Sequence, residues 1–227
     1  VTRLTNTRFL TMVTQTSPNM FIFGVWDVTN QKSATPTTTH VRQQAVIFND
    51  QYSGVMGYSC LCVGLSAEYA LVIYTGSNAN TTAQVIHIDP INGLITPKLS
   101  TTVAFSGQYL YYSVNNLVQP SNSGSMYWEG ARYKQADNNV LISVRDGSGQ
   151  GSNVGLYRFV YDPITNTLTR TQLLSHAVTN GQYHAAVIQP IPGSADVLYY
   201  ITGAADPSGN QTWRGSVAGA ISQYAIY

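Results

Sequence analysis

Chemistry needs charged or nucleophilic side chains at workable spacing, and few stretches of this chain offer them. The densest is Tyr127-Trp128-Glu129-Gly130-Ala131-Arg132-Tyr133. Read as a strand, it puts Tyr127, Glu129 and Tyr133 on one face and Trp128 with Arg132 on the other. An aromatic platform beside a carboxylate and a guanidinium suits a sugar or a peptide. Trp128, Glu129, Arg132, Tyr133 and the later Trp213 are therefore the expected ligand-binding residues. An ordinary strand with a Glu–Arg surface pair is the plainer reading of the same residues.

Covalent chemistry finds less support. Glycoside hydrolysis needs two paired carboxylates. Asp27, Asp89 and Asp162 each end a strand-like run, where turn capping accounts for them. The four histidines (His40, His87, His176, His184) form no H-x-x-x-H pair, and His87 between Ile86 and Ile88 reads as a packed or edge histidine. There is no G-x-S-x-G elbow and no phosphate or dinucleotide loop. Cys60 and Cys62 share a strand face about 6–7 Å apart, a poor fit for a disulfide, and read as buried thiols. No catalytic residue, metal or cofactor is expected.

Composition narrows the partners. Only 9% of the 227 residues are charged, against roughly 25% in ordinary soluble proteins, and the formal net charge is +1. Neither nucleic acid nor an anionic membrane would be drawn to such a surface. No apolar run approaches the ~20 residues that a spanning helix needs. Thr, Ser, Asn, Gln and Tyr fill the polar positions, and Thr and Tyr favour strands over helices.

The elements that must hold these residues are short strands in quick succession, in one all-β domain spanning 1–227. Fifteen runs qualify, among them Phe9–Thr14, Met20–Asp27, Ala45–Phe48, Tyr58–Val63, Tyr69–Thr75, Ala83–Asp89 and Val140–Arg145, bounded by Gly, Pro, Asn, Asp or Ser. Several are continuously apolar, as strands buried on both faces are. Thr35–Thr39 and Gln119–Ser125 read as loops, and Asn92-Gly93 as a tight turn at positive φ.

Two segments repeat: Val85–Thr96 and Phe159–Thr169 each run from an apolar strand through an Asp-Pro turn into a Thr-rich return strand. The order around them repeats as well. A further copy would start at Tyr183–Gln189 and Val197–Thr202 and reach Ser222–Tyr227, where it lacks a return strand. Val1–Thr5 resembles Thr167–Thr171 and would supply it. This four-strand unit, with the termini completing one blade, resembles the β-propeller families. Four or five blades of about 40–50 residues would fit. A β-sandwich or jelly-roll head is the alternative. Asp206-Pro207-Ser208-Gly209-Asn210-Gln211-Thr212-Trp213 is similar to the Asp-box turn of sialidase-type propellers, with spacing two residues too long.

The Lys- and Glu-poor, Thr-, Asn- and Tyr-rich composition also resembles capsid spikes, fibre heads and lectins. What this implies is a non-enzymatic binding module, extracellular or on a virion surface, recognising a glycan or a receptor protein. A small propeller glycoside hydrolase, or a structural subunit that forms homo-oligomers, are the other expectations.

Overall fold

A computed structural model of the chain describes residues 1–16, 19–29, 32–48, 60–75, 81–99, 103–105, 132–146, 153–177, 184–191, 196–203, 211–216 and 221–223. Among them there is no helix. The strands form antiparallel sheets in simple up-and-down order. The first sheet comprises β1 (Thr2–Arg3), β2 (Arg8–Thr16), β3 (Asn19–Thr29) and β4 (Thr37–Val46). The second comprises β5 (Cys60–Gly64), β6 (Tyr69–Thr75), β7 (Thr81–Ile88) and β8 (Ile95–Pro97), and β9 (Val103–Phe105) continues along the edge of β7. The third comprises β10 (Arg132–Ala136), β11 (Asn139–Asp146), β12 (Asn153–Asp162) and β13 (Thr167–Ala177). The fourth comprises β14 (His184–Pro190), β15 (Asp196–Gly203), β16 (Gln211–Ser216) and β17 (Ile221–Gln223).

The expected exchange of terminal strands is not seen among the described residues, and 224–227 lie outside them. Thr2 and Arg3 pair with Leu10 and Phe9 in their own sheet, and β17 pairs with β16. Gln211–Ser216, unassigned from sequence, supplies the strand that seemed missing from the last unit. At the N-terminus a four-residue turn brings β1 back on β2, closing a far shorter loop than pairing with the chain's end would. β4 also begins inside the stretch read as a loop, because Thr37–His40 is exposed and carries no apolar alternation.

The chain divides into two compact units. One contains Val1–Gly107, Ala136–Asn138 and Tyr161–Leu168; the other contains Gln108–Gln135, Asn139–Val160 and Thr169–Tyr227. In the first unit the core lies between the first two sheets. Leu10, Phe21, Phe23, Val25 and Val46 meet Ala70, Val72, Tyr74, Ile86 and Ile88. Strand alternation puts Leu71, Ile73 and Val85 on the opposite face of the second sheet, and they are fully buried too. Cys62 lies in this core and Cys60 packs against it, neither in a disulfide. In the second unit Val140, Leu141, Ile142, Leu156 and Phe159 are buried.

Polar side chains tie the first two sheets together. The Gly64 amide donates to Thr2 Oγ1 at 2.8 Å. Gln44 on β4 acts as a substitute peptide for β8, accepting from the Ile95 amide at 3.0 Å and donating to the Ile95 carbonyl at 2.6 Å. Gln84 does the same for Leu99, where the edge passes from β8 to β9.

One turn design recurs at the same end of the sheets. Leu4 and Thr5 donate their amides to the Arg8 carbonyl, and Leu65 and Ser66 donate theirs to the Tyr69 carbonyl. Thr5 Oγ1 accepts the Thr7 amide as Ser66 Oγ accepts the Glu68 amide. The third strand then bonds back to the residue just before the second: Val28 to Thr7, Ile88 to Glu68, Tyr161 to Asn138. Register puts Arg8 opposite Asp27, Tyr69 opposite His87 and Asn139 opposite Val160. The first two sheets thus share one turn with matched positions, and the third, whose β10–β11 connection is a two-residue Asp137-Asn138 turn with Asn138 at φ 60°, shares the register that follows it.

Candidate functional site

The turn end of the sheets carries the most varied chemistry on the most regular backbone. At the first repeat Arg8 grips Asp27, with Nε to Oδ1 at 2.7 Å and Nη2 to Oδ2 at 2.8 Å. Its remaining Nη1 donates to the Pro90 carbonyl at 2.6 Å. Asp27, expected to cap a turn, serves instead as an ion-pair partner. The hydrogen bonds from Arg8 hold its carboxyl below the ordinary carboxylate range.

At the second repeat the matched pair is aromatic. The Tyr69 ring lies against His87 at 5.3 Å between centroids and against Tyr161 at 5.1 Å. Glu68 Oε2 lies 3.8 Å from His87 Nε2, close enough for an ion pair when the imidazole is protonated and too far for a hydrogen bond. The side chains of His87 and Glu68 keep 27% and 46% of their exposure. Tyr161 is buried, which pushes its phenol up, and its hydroxyl donates to Asn166 Oδ1 at 2.9 Å. Asn166 Nδ2 in turn donates to the Lys98 carbonyl at 2.8 Å. Tyr161 and Asn166 are thereby fixed, while Glu68, Tyr69 and His87 present side-chain polar atoms that make no hydrogen bond among the described residues.

The two Asp-Pro turns flank this group, and their aspartates are caps, as expected. Asp89 Oδ1 accepts the Ile91 and Asn92 amides at 2.8 and 2.9 Å. Asp162 Oδ1 accepts the Ile164 amide at 2.9 Å, and Oδ2 accepts the Thr165 hydroxyl at 2.8 Å. These bonds hold both carboxyls below the ordinary range. The turns are four-residue loops rather than the tight Asn-Gly turn expected. Gly93 (φ 71°) and Asn166 (φ 53°) occupy the matched left-handed position. At both tips an isoleucine faces solvent, Ile91 at 87% and Ile164 at 93%.

A second aromatic group sits on the outer face of the first sheet. Trp26 Nε1 donates to Thr11 Oγ1 at 3.1 Å, and its indole lies over Gly24. A bulge at Val25/Trp26 places His40 opposite Trp26, with centroids 4.5 Å apart. Without the bulge His40 would point to the inner face. Matched positions identify this surface: Phe9 corresponds to Ala70 and Trp26 to Ile86, both core residues in the second sheet.

Of the binding residues expected from sequence, Arg132 and Tyr133 lie on β10, and Trp213 lies on β16 opposite Tyr199 and Gln223. Arg132 and Trp213 thus belong to different sheets. Trp128 and Glu129 lie outside the described residues. Glu68 and Tyr69 went unremarked in the sequence, because only strand register brings them to His87. Among the described residues no group of three His, Cys, Asp or Glu is placed to hold a metal ion. No helix there is long and apolar enough to cross a membrane.

No protein-family model, curated protein or solved structure matches the chain.

Proposed function

We propose that this chain is a non-enzymatic binding module of an extracellular or virion surface, which recognises a glycan or a receptor protein with the turn end of its sheets. One observation carries the reading. The same hairpin backbone recurs in the first two sheets and bears a different side-chain pair each time, Arg8 with Asp27 and Tyr69 with His87, and the matched register of the third sheet pairs Asn139 with Val160. Rigid repeats with variable rim residues are how recognition surfaces are commonly built. The neutral, Tyr- and Asn-rich composition suits binding through stacking and uncharged hydrogen bonds.

The architecture we propose is a β-propeller of four blades. Support comes from the succession of faces. The face of the first sheet that bears Leu10 packs on the second sheet. The matched face of the second sheet, bearing Leu71, is buried as well, and its Tyr69 meets Tyr161 of the third. A two-sheet sandwich leaves each sheet one outer face. Closure of such a ring rests on face packing, since each terminal strand belongs to its own sheet.

A glycan array, paired with titration against cell-surface proteins, tests the function. A saturable ligand on either supports it. Silence on both, with turnover of some substrate demonstrated, overturns it.

A further inference from the structure

Glu68 and His87 bring two polar tips together at the second repeat beside the Tyr69 ring. Glu68 offers carboxylate oxygens, His87 an imidazole 3.8 Å from one of them, and Tyr69 a phenol on a half-buried ring held between two aromatic neighbours. Each position is fixed by the fold. The Ile88 amide bonds to the Glu68 carbonyl at 2.7 Å, the Ser66 hydroxyl accepts the Glu68 amide at 3.3 Å, and Tyr69 is paired with His87 across the ladder. A backbone held in this way loses little freedom on binding.

We infer that Glu68, Tyr69 and His87 form a subsite for one pyranose of an uncharged glycan, an inference that rests on the binding-module reading above. A pair of neighbouring hydroxyls suits a carboxylate that accepts and an imidazole that can donate or accept. The apolar C–H patch of the ring suits the exposed part of Tyr69. Charge selects against acidic sugars. Glu68 stands in the subsite, and Asp89, within electrostatic reach of His87, is itself neighboured by Arg42 and Arg8. A carboxylate-bearing sugar would meet the like charge of Glu68, whereas a neutral one meets only hydrogen-bonding partners.

The test uses the intact chain and a panel of methyl pyranosides, followed by saturation-transfer NMR, alongside the glycan array. The variants are Glu68→Ala, Tyr69→Phe and, as a control on the outer face of the first sheet, Gln43→Ala. The expected result is that a neutral pyranoside binds, that Glu68→Ala weakens it about tenfold or more, and that Tyr69→Phe weakens it less because the ring remains. Gln43→Ala should leave binding unchanged, and all three variants should keep the parent far-UV spectrum. A neutral glycan that binds equally well to Glu68→Ala overturns the subsite and leaves the module reading standing. So does binding confined to acidic glycans or to a protein receptor. Silence throughout, with turnover demonstrated, overturns both.

Discussion

Arg8 holds both carboxylate oxygens of Asp27, and its third nitrogen reaches the Pro90 carbonyl of the neighbouring sheet. One side chain therefore ties two strands of the first sheet to a turn of the second. Replacing Asp27 by Asn keeps the shape and removes the charge. The pair is partly open to solvent, so the expected loss is about 1 kcal/mol in denaturant unfolding. Arg8→Met should cost more, about 2 kcal/mol, because the link to Pro90 goes as well.

The same ion pair fixes the sign of an acid effect. The folded-state pKa of Asp27 is lowered by Arg8, so its contribution is complete above the unfolded carboxylate range. It is lost as pH falls through the folded value. The Asp89 and Asp162 caps shift the same way. Unfolding midpoints should thus hold steady from neutral pH to about pH 5 and fall below about pH 4, where these carboxylates take up protons. Asp27→Asn should flatten part of that fall.

Gly64 faces a tighter constraint than any other described glycine. A Cβ there would collide with the Arg3 backbone carbonyl, which cannot rotate aside. The Gly64 amide also donates to Thr2 Oγ1. Gly64→Ala should therefore pry β1 from β5 and cost about 2–3 kcal/mol. Amide exchange at Leu10 and Phe9, the partners of β1, should accelerate with it. Thr2→Ala, which removes the hydrogen bond without the collision, should cost only about 1 kcal/mol.

How much of this was legible in the sequence depends on where each strand's polar residues fall. Tyr69–Thr75 was readable to the residue, because a continuous apolar run between turn signals marks a doubly buried strand. The Asp-Pro turns were readable because the cap chemistry is local. β16, with sequence QTWRGS, shows no sustained apolar pattern and follows a Pro-Ser-Gly stretch, so only its ladder with β15 reveals it. The site suffered the same limit. Glu68 and His87 are 19 positions apart, and nothing local shows that register returns one to the other.

The two matched turns should respond unequally to changes at their shared left-handed position. Gly93 and Asn166 share the left-handed conformation, but a Cβ at Gly93 would come within 3.2 Å of Val41 Cγ1 and Arg42 Cβ. Gly93→Ala thus adds crowding to backbone strain, with an expected loss of about 1–2 kcal/mol. Asn166→Gly relieves the backbone and sacrifices the bonds to Tyr161 and Lys98. Its net loss should be smaller, and a new Tyr161 environment should be visible in near-UV dichroism.

The cysteines give a test of packing that needs no ligand. Cys62 is buried in the core between the first two sheets, and burial pushes the Cys60 thiol up to about 11. A thiol with that value holds almost no thiolate at neutral pH, and the thiolate is the species that attacks a disulfide reagent. Both cysteines should therefore resist Ellman's reagent at pH 7.5 in the native protein and react at once in denaturant. Raising the pH toward 11 under native conditions should release Cys60 first, since it is only partly buried whereas Cys62 is enclosed. Equal, fast modification of both at neutral pH would mean that β5 is not covered by the first sheet, and the packing of Cys62 against Leu10 and Phe21 would have to be abandoned.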